Sequence, residues 1–185
     1  MARHQRHGMT RTTAAGIAGL LLTVLLLPFV SGADSTVTVN TTWSGQLTLT
    51  GNVTVASGAT LTVEPGTAVD AGTYAIIVEG LLEADQASFY SSVTPETQGS
   101  HGQGLWPGIV VETGGQATLS DVTVANASAG VLVRGTFNGS DVVFNDAYRG
   151  LAVLGGSAHV NGFEANRIDY AVSYTHLTLP TICSV

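Results

Sequence analysis

The chain has 185 residues, of which 44% are hydrophobic and only 10% charged, and it contains no lysine. All thirteen Asp and Glu lie from Asp34 onward, against Arg134, Arg149 and Arg167 there, so that stretch carries a net charge of −10. Such a surface excludes nucleic acid as a partner, because phosphates need Lys and Arg to displace their counterions; it suits solubility in salt or cation binding without specifying either.

In chain order, the first element is not part of a fold. Arg3, Arg6 and Arg11 precede the apolar run AAGIAGLLLTVLLLPFV (14–30), and SGA (31–33) offers small residues for a peptidase. This is the charged, apolar and small-residue sequence of a secretory signal, expected to be cleaved so that 1–33 are lost and the protein is secreted or held at the cell surface. Membrane contact arises only through this segment if it stays uncleaved; its 17 apolar residues are near the lower limit for a bilayer span.

Next come alternating segments punctuated by Gly, Asn and Pro: TVTVN (36–40), QLTLTG (46–51), NVTVASG (52–58), ATLTVEPGT (59–67) and AIIVEG (75–80). The stretch ASFYSSVTPETQGSHGQGLWP (87–107) breaks the rhythm. It is polar, rich in Gly and Ser, and long for a connection, so it is expected to bulge as a loop. It offers Tyr90 and Trp106 as weak candidates for stacking on a sugar ring. His101 has no second His or Cys at metal-ligand spacing, so no metal site is expected.

From Ile109 the chain divides into turns of 22, 20 and 20 residues, beginning at Ile109, Val131 and Leu151. Val111, Val133 and Val153 fall in a second column; Asn126, Asp146 and Asn166 fall in a third, expected to be a structural ladder at a turn. Asp121, Asp141 and Asn161 share a fourth. A fixed period of this length marks a solenoid. Triplets of β-branched residues with period two, and no 3.6-residue stripe after residue 33, make it all-β. The prediction is a parallel β-helix with three sheets and about 20–22 residues per coil, columns stacking at roughly 4.8 Å.

LTGNVTVASGATLTVEPGTAV (49–69) resembles the opening coils of right-handed parallel β-helix proteins of the pectin-lyase-like class, and GLWPGIVVETGGQATLSDVTVANASAGVLV (104–133) is similar to the repeat that follows in many secreted members. The resemblance covers about 34–171. It implies a right-handed coil and leaves function open, since the class holds lyases, hydrolases, epimerases and adhesins. Its enzymes place carboxylates, with a basic residue in the lyases, on outward positions of neighbouring coils. Asp121 and Asp141 could form such a pair or a calcium site, but each sits in a turn context where Asp bonds its own backbone. Glu112 and Arg134 are expected to face each other as a surface ion pair. No catalytic residue and no cofactor follow. The outward column Val110, Leu132 and Ala152 is unusually apolar, which points to a cover or a partner.

Asn40, Asn52 and Asn138 open Asn-x-Ser/Thr sequons and are candidate glycosylation sites; Asn126 opens a fourth. The chain closes on AVSYTHLTLPTICSV (171–185), where Ala171 should begin the next coil. VSYTHLTLPT (172–181) resembles the in-frame translation of a transposon adapter from sequencing libraries, and an index followed by a fixed end accounts for the residues after it. On this reading 172–185 is not native, the lone Cys183 is no evidence of redox chemistry, and the natural array continues. The expected function is a secreted or cell-surface repeat protein, non-catalytic in the coils present, with a binding or adhesion surface for a polysaccharide or other cell-surface ligand. The alternative is the amino-terminal part of a polysaccharide lyase, hydrolase or epimerase with its catalytic coils further on.

Overall fold

A computed structural model of the chain describes residues 33–93 and 105–174. The expected signal segment and residues 94–104, His101 among them, lie outside this range, as do 175–185. Among the described residues the structure is all-β, with parallel strands stacked as a solenoid of about 6 turns. It is consistent with a right-handed parallel β-helix, the hand that crossovers between parallel strands adopt.

One face is a seven-stranded parallel sheet: β1 (Ser35–Val37), β4 (Val53–Val55), β7 (Ile76–Val78), β10 (Ile109–Val111), β13 (Ala129–Val133), β15 (Arg149–Val153) and β17 (Tyr170–Tyr174). The second face stacks β2 (Thr41–Trp43), β5 (Thr60–Val63), β8 (Leu81–Asp85) and β11 (Gln116–Ser120). The third stacks β3 (Gln46–Thr48), β6 (Ala68–Asp70), β9 (Ser88–Tyr90) and β12 (Thr123–Ala125). These two faces join into one ten-stranded sheet because β14 (Thr136–Asn145) runs along both, as does β16 (Ser157–Asn166), which pairs with it. The three expected sheets are therefore three faces of two sheets, one of them folded at a corner.

That corner is made by a single backbone device. Gly45, Gly66, Gln86, Asp121, Asp141 and Gly162, one in each coil, all have positive φ. A residue in the left-handed region turns the strand without ending its hydrogen bonding, and Asn, Asp and Gly enter it at least cost. Asp121 and Asp141, both at φ 52°, do this work. The Asp121 amide then donates to the Ser140 carbonyl of the next coil at 2.9 Å.

Alternation of period two sends every second side chain inward, and the parallel register sets each of these on its counterpart one coil away. Val37, Val55, Val78, Val111, Val133 and Val153 form one continuous buried column. Val53, Ile76, Ile109, Val131 and Leu151 form another. Val69, Phe89, Val124 and Phe144 line the third face from inside. Burying such a side chain contributes about 1.5–3 kcal/mol, so each coil depends on its neighbours for most of its stability.

Three registers differ from the sequence reading. The turn after Leu151 has 21 residues: Leu151 pairs with Val172 and Val153 with Tyr174, so Ala171 does not open the coil. Val172, Ser173 and Tyr174 therefore belong to the rung of β17, three residues beyond the expected boundary. Asn166 pairs with Asn145, which places Asp146 beside Arg167 and removes Asn166 from the Asn126–Asp146 column. Likewise Asn161 follows Ser120 and Ser140, and Gly162 follows Asp121 and Asp141. The predicted loop 87–107 is shorter at both ends. Ser88–Tyr90 is strand β9, hydrogen-bonded between β6 and β12, and Trp106 is bridged to Ala127.

Candidate functional site

A solenoid offers a ligand its outward columns, because the inward ones are closed by stacking. On the first face the outward positions read Thr36, Thr54, Ile77, Val110, Leu132, Ala152 and Ser173 in successive coils. Four consecutive apolar residues stand in the middle of this column. Ile77, Val110 and Leu132 are half-buried, and Ala152 is buried. At roughly 4.8 Å per coil the apolar stretch runs about 14 Å. On the second face the matching column is polar: Thr42, Thr62, Glu83, Thr118, Asn138 and His159. The two faces thus present different chemistry on the same spacing.

Beside the apolar column, Arg134 Nη1 donates to Glu112 Oε1 at 2.7 Å, with the two side chains 41% and 34% exposed. The expected ion pair is present. A second pair, unforeseen, joins the Arg167 guanidinium to Asp146 in bidentate fashion. The bond to the Asp146 carboxylate raises the Arg167 pKa, with the coulombic attraction of that carboxylate adding to it.

The weak ligand-contact candidates separate. Trp106 is only 1% exposed, and its indole N–H donates to the Ala125 carbonyl at 2.9 Å. A ring buried under the stack with its one donor satisfied does not stack on sugar, so Trp106 is withdrawn as a contact residue. Tyr90 is half-buried on the third face, in the outward column with Asp70. Next to it, the turn that leaves β9 is tied down by Asp70. Its Oδ1 accepts from the amides of Ser92 and Gly72, each at 3.0 Å, and its Oδ2 accepts from the Ser92 hydroxyl at 2.5 Å. Partial burial pushes the Asp70 pKa up, but the bonds from Ser92 and Gly72 outweigh it together, and the net direction is down.

The structural-ladder candidates hold the coils together in other ways than expected. Asn126 has φ 59° and donates its side-chain amide to the Ser91 carbonyl at 2.8 Å. The amide ladder itself lies one column away, where Asn166 Nδ2 donates to Asn145 Oδ1 at 3.0 Å. Among the sequons, Asn40 Oδ1 accepts from the Thr60 amide at 3.1 Å and Asn52 Oδ1 from the Ala75 amide at 2.9 Å, so both act as struts to the next coil. Asn138 is half-buried among the outward polar residues of β14.

One cluster escaped the sequence reading. The Tyr148 and Tyr170 rings meet edge-on at 5.4 Å, and the Arg149 guanidinium lies 4.8 Å from the Tyr148 centroid. Tyr170 is 53% exposed. The sequence signal is the Tyr near the end of two successive turns, in AYRG and DY. Among the described residues no group of three or more His, Cys, Asp or Glu is placed to hold a metal ion.

No family model, curated protein or solved structure matches the chain.

Proposed function

We propose that the chain is the solenoid of a secreted or cell-surface protein that binds without catalysing, its first face engaging a carbohydrate chain or another surface ligand. The observation that carries this reading is the outward run Ile77–Val110–Leu132, three coils of half-buried apolar side chain, closed by the buried Ala152, where a solvent-facing column would otherwise be polar. Contiguous apolar surface on a solenoid marks a contact face.

Two further observations favour binding over turnover. Two ion pairs stand near this face, Glu112 with Arg134 and Asp146 with Arg167. Asp70 is held below its usual range by hydrogen bonds, the wrong direction for a general acid, which needs a raised pKa. Export rests on the signal-like residues 1–33, and the likeness of 49–69 and 104–133 to pectin-lyase-like coils makes a polysaccharide the first ligand class to try.

The test is a polysaccharide and glycan binding screen on the purified chain, with Leu132→Asp as the variant. Leu132 is half-buried and outward, so the charge leaves the core columns intact. Retained folding with at least about tenfold weaker binding supports the proposal, the loss expected when a central apolar contact is replaced by a charge. Binding unchanged by Leu132→Asp would move the contact face elsewhere. Release of new reducing or unsaturated ends from any polysaccharide would overturn the non-catalytic reading in favour of a lyase or hydrolase.

A further inference from the structure

The chain carries four Asn-x-Ser/Thr sequons, at Asn40, Asn52, Asn126 and Asn138. In such a triplet the asparagine side-chain nitrogen can be joined to a sugar. The donor is a sugar carried on a lipid diphosphate. Nδ2 bonds to the anomeric carbon, the bond from that carbon to the diphosphate oxygen breaks, and Nδ2 gives up one proton. Oδ1 takes no part in the new bond. In a folded chain the step requires an Nδ2 turned to solvent and a backbone that can bend into the enzyme, which is why acceptor sequons sit on surface loops.

The solenoid places the four in unlike settings. Asn126 is half-buried and its Nδ2 donates to the Ser91 carbonyl at 2.8 Å, so the atom that would carry sugar is committed to a bond between coils. Asn138 lies inside β14, in register with Thr118 of β11 on one side and His159 of β16 on the other. Bending there breaks two ladders. Asn52 is half-buried and held at three points. Its amide donates to Asp34 Oδ1 at 2.8 Å, its carbonyl accepts from the Ser35 amide at 2.8 Å, and its Oδ1 accepts from the Ala75 amide at 2.9 Å. The Val53 and Thr54 that follow enter β4, paired with β1 and β7. Asn40 differs. It is exposed in the bend between β1 and β2, with Thr38 and Val39 exposed before it. Its planar side-chain amide is oriented by the 3.1 Å bond from the Thr60 amide to Oδ1, which turns Nδ2 away from the next coil.

We infer that the folded chain accepts an N-linked sugar at Asn40 and refuses it at Asn52, Asn126 and Asn138. The strut survives in the product, because Oδ1 of Asn40 still accepts from the Thr60 amide once Nδ2 carries a sugar. At Asn126 the enzyme would first have to pull Nδ2 off the Ser91 carbonyl and open the corner that this residue holds at φ 59°. A sugar on Asn40 also leaves the proposed contact face clear. The apolar column begins at Ile77, two coils further on, roughly 10 Å along the axis. In the organism the reaction presupposes the export proposed above.

The experiment incubates the purified, folded chain with an oligosaccharyltransferase and a lipid-diphosphate oligosaccharide, and reads the occupancy of each sequon by peptide mass mapping. Synthetic peptides spanning the four sequons give the reference, which puts Thr and Ser sequons on one scale. Relative to its peptide, Asn40 should react at least about tenfold faster than each of the other three, because they react only after local opening. Asn40→Gln should leave the folded chain without sugar over the time in which the parent chain is modified. Equal normalised rates, a faster Asn52, Asn126 or Asn138, or a folded chain that takes no sugar while its peptides do overturns the inference. Enzyme and donor are both supplied, so a chain that is never exported would give the same ratios, and the two readings fail separately.

Discussion

The tightest point in the solenoid is the corner where Gly108, Gly130 and Gly150 stack, and Gly130→Ala tests it. A methyl at 130 would overlap the edge of the Phe144 ring and come within 2.7 Å of the Gly150 carbonyl oxygen. Neither neighbour has room to retreat. Phe144 is fully buried and packs against Phe163 at 5.3 Å, and the carbonyl belongs to strand β15. Inserting a methyl into a packed site typically costs 1–3 kcal/mol, and two rigid obstacles place this one at about 3 kcal/mol. With a urea m-value of about 2 kcal/mol/M for a domain of this size, the unfolding midpoint should fall by roughly 1.5 M. The ring's share is separable. Phe144→Ala alone should cost about 3–5 kcal/mol. In that background Gly130→Ala should cost less than it does alone, by a coupling of about 1 kcal/mol or more. Gly130→Ala as stable as the parent chain, or strict additivity with Phe144→Ala, would refute the packing argument.

Other outcomes follow from the same geometry. Asp70 has a folded pKa below its ordinary value of 3.8, so the stability it contributes is fully present above that value and is lost as pH falls through the folded pKa. Exchange protection of the Ser92 and Gly72 amides should therefore drop at acid pH, and Asp70→Asn should remove that step while lowering protection at neutral pH. Glu112→Ala should change stability by no more than about 1 kcal/mol, and less in high salt, because the pair with Arg134 is solvent-exposed; a larger loss by urea titration would contradict its surface role. Exchange should be fastest in 157–174, where side chains that are buried in earlier coils are half-buried or exposed. Concentration-dependent association through β16 and β17, measured by light scattering, should accompany it. A monomer fully protected over those strands would count against both.

The architecture was legible because it rests on a two-residue alternation that β-branched side chains advertise. Ile109, Val131 and Leu151 share a column in the sequence, and the parallel register pairs them as expected. The errors share a cause. Asn126, Asp146 and Asn166 are alike in chemistry, whereas position is set by backbone geometry. The left-handed residues Asn126, Asp146 and Arg167, at φ 59°, 51° and 53°, hold the corner, and Arg167 does not look like its predecessors. Strand β9 was hidden because Ser88 and Tyr90 face outward and leave Phe89 as its single apolar mark. Trp106 drew attention as an aromatic in a polar stretch, and nothing in the sequence says that its indole is covered. For the site, the apolar column through Val110 and Leu132 was visible; the Tyr148–Arg149–Tyr170 cluster, which needs rungs stacked in three dimensions, was not.

The register of the first face carries an implication for the length of each coil. Counted between paired residues of the first face, the coils advance by 18 positions (Ser35 to Val53), 23 (Val53 to Ile76), 33 (Ile76 to Ile109), 22 (Ile109 to Val131), 20 (Val131 to Leu151) and 21 (Leu151 to Val172). Length varies freely, yet the valine column never slips. The longest step, from Ile76 to Ile109, takes its extra residues between β9 and β10, outside the paired strands. What stays constant from rung to rung is the direction in which each side chain points, not the number of residues between one rung and the next.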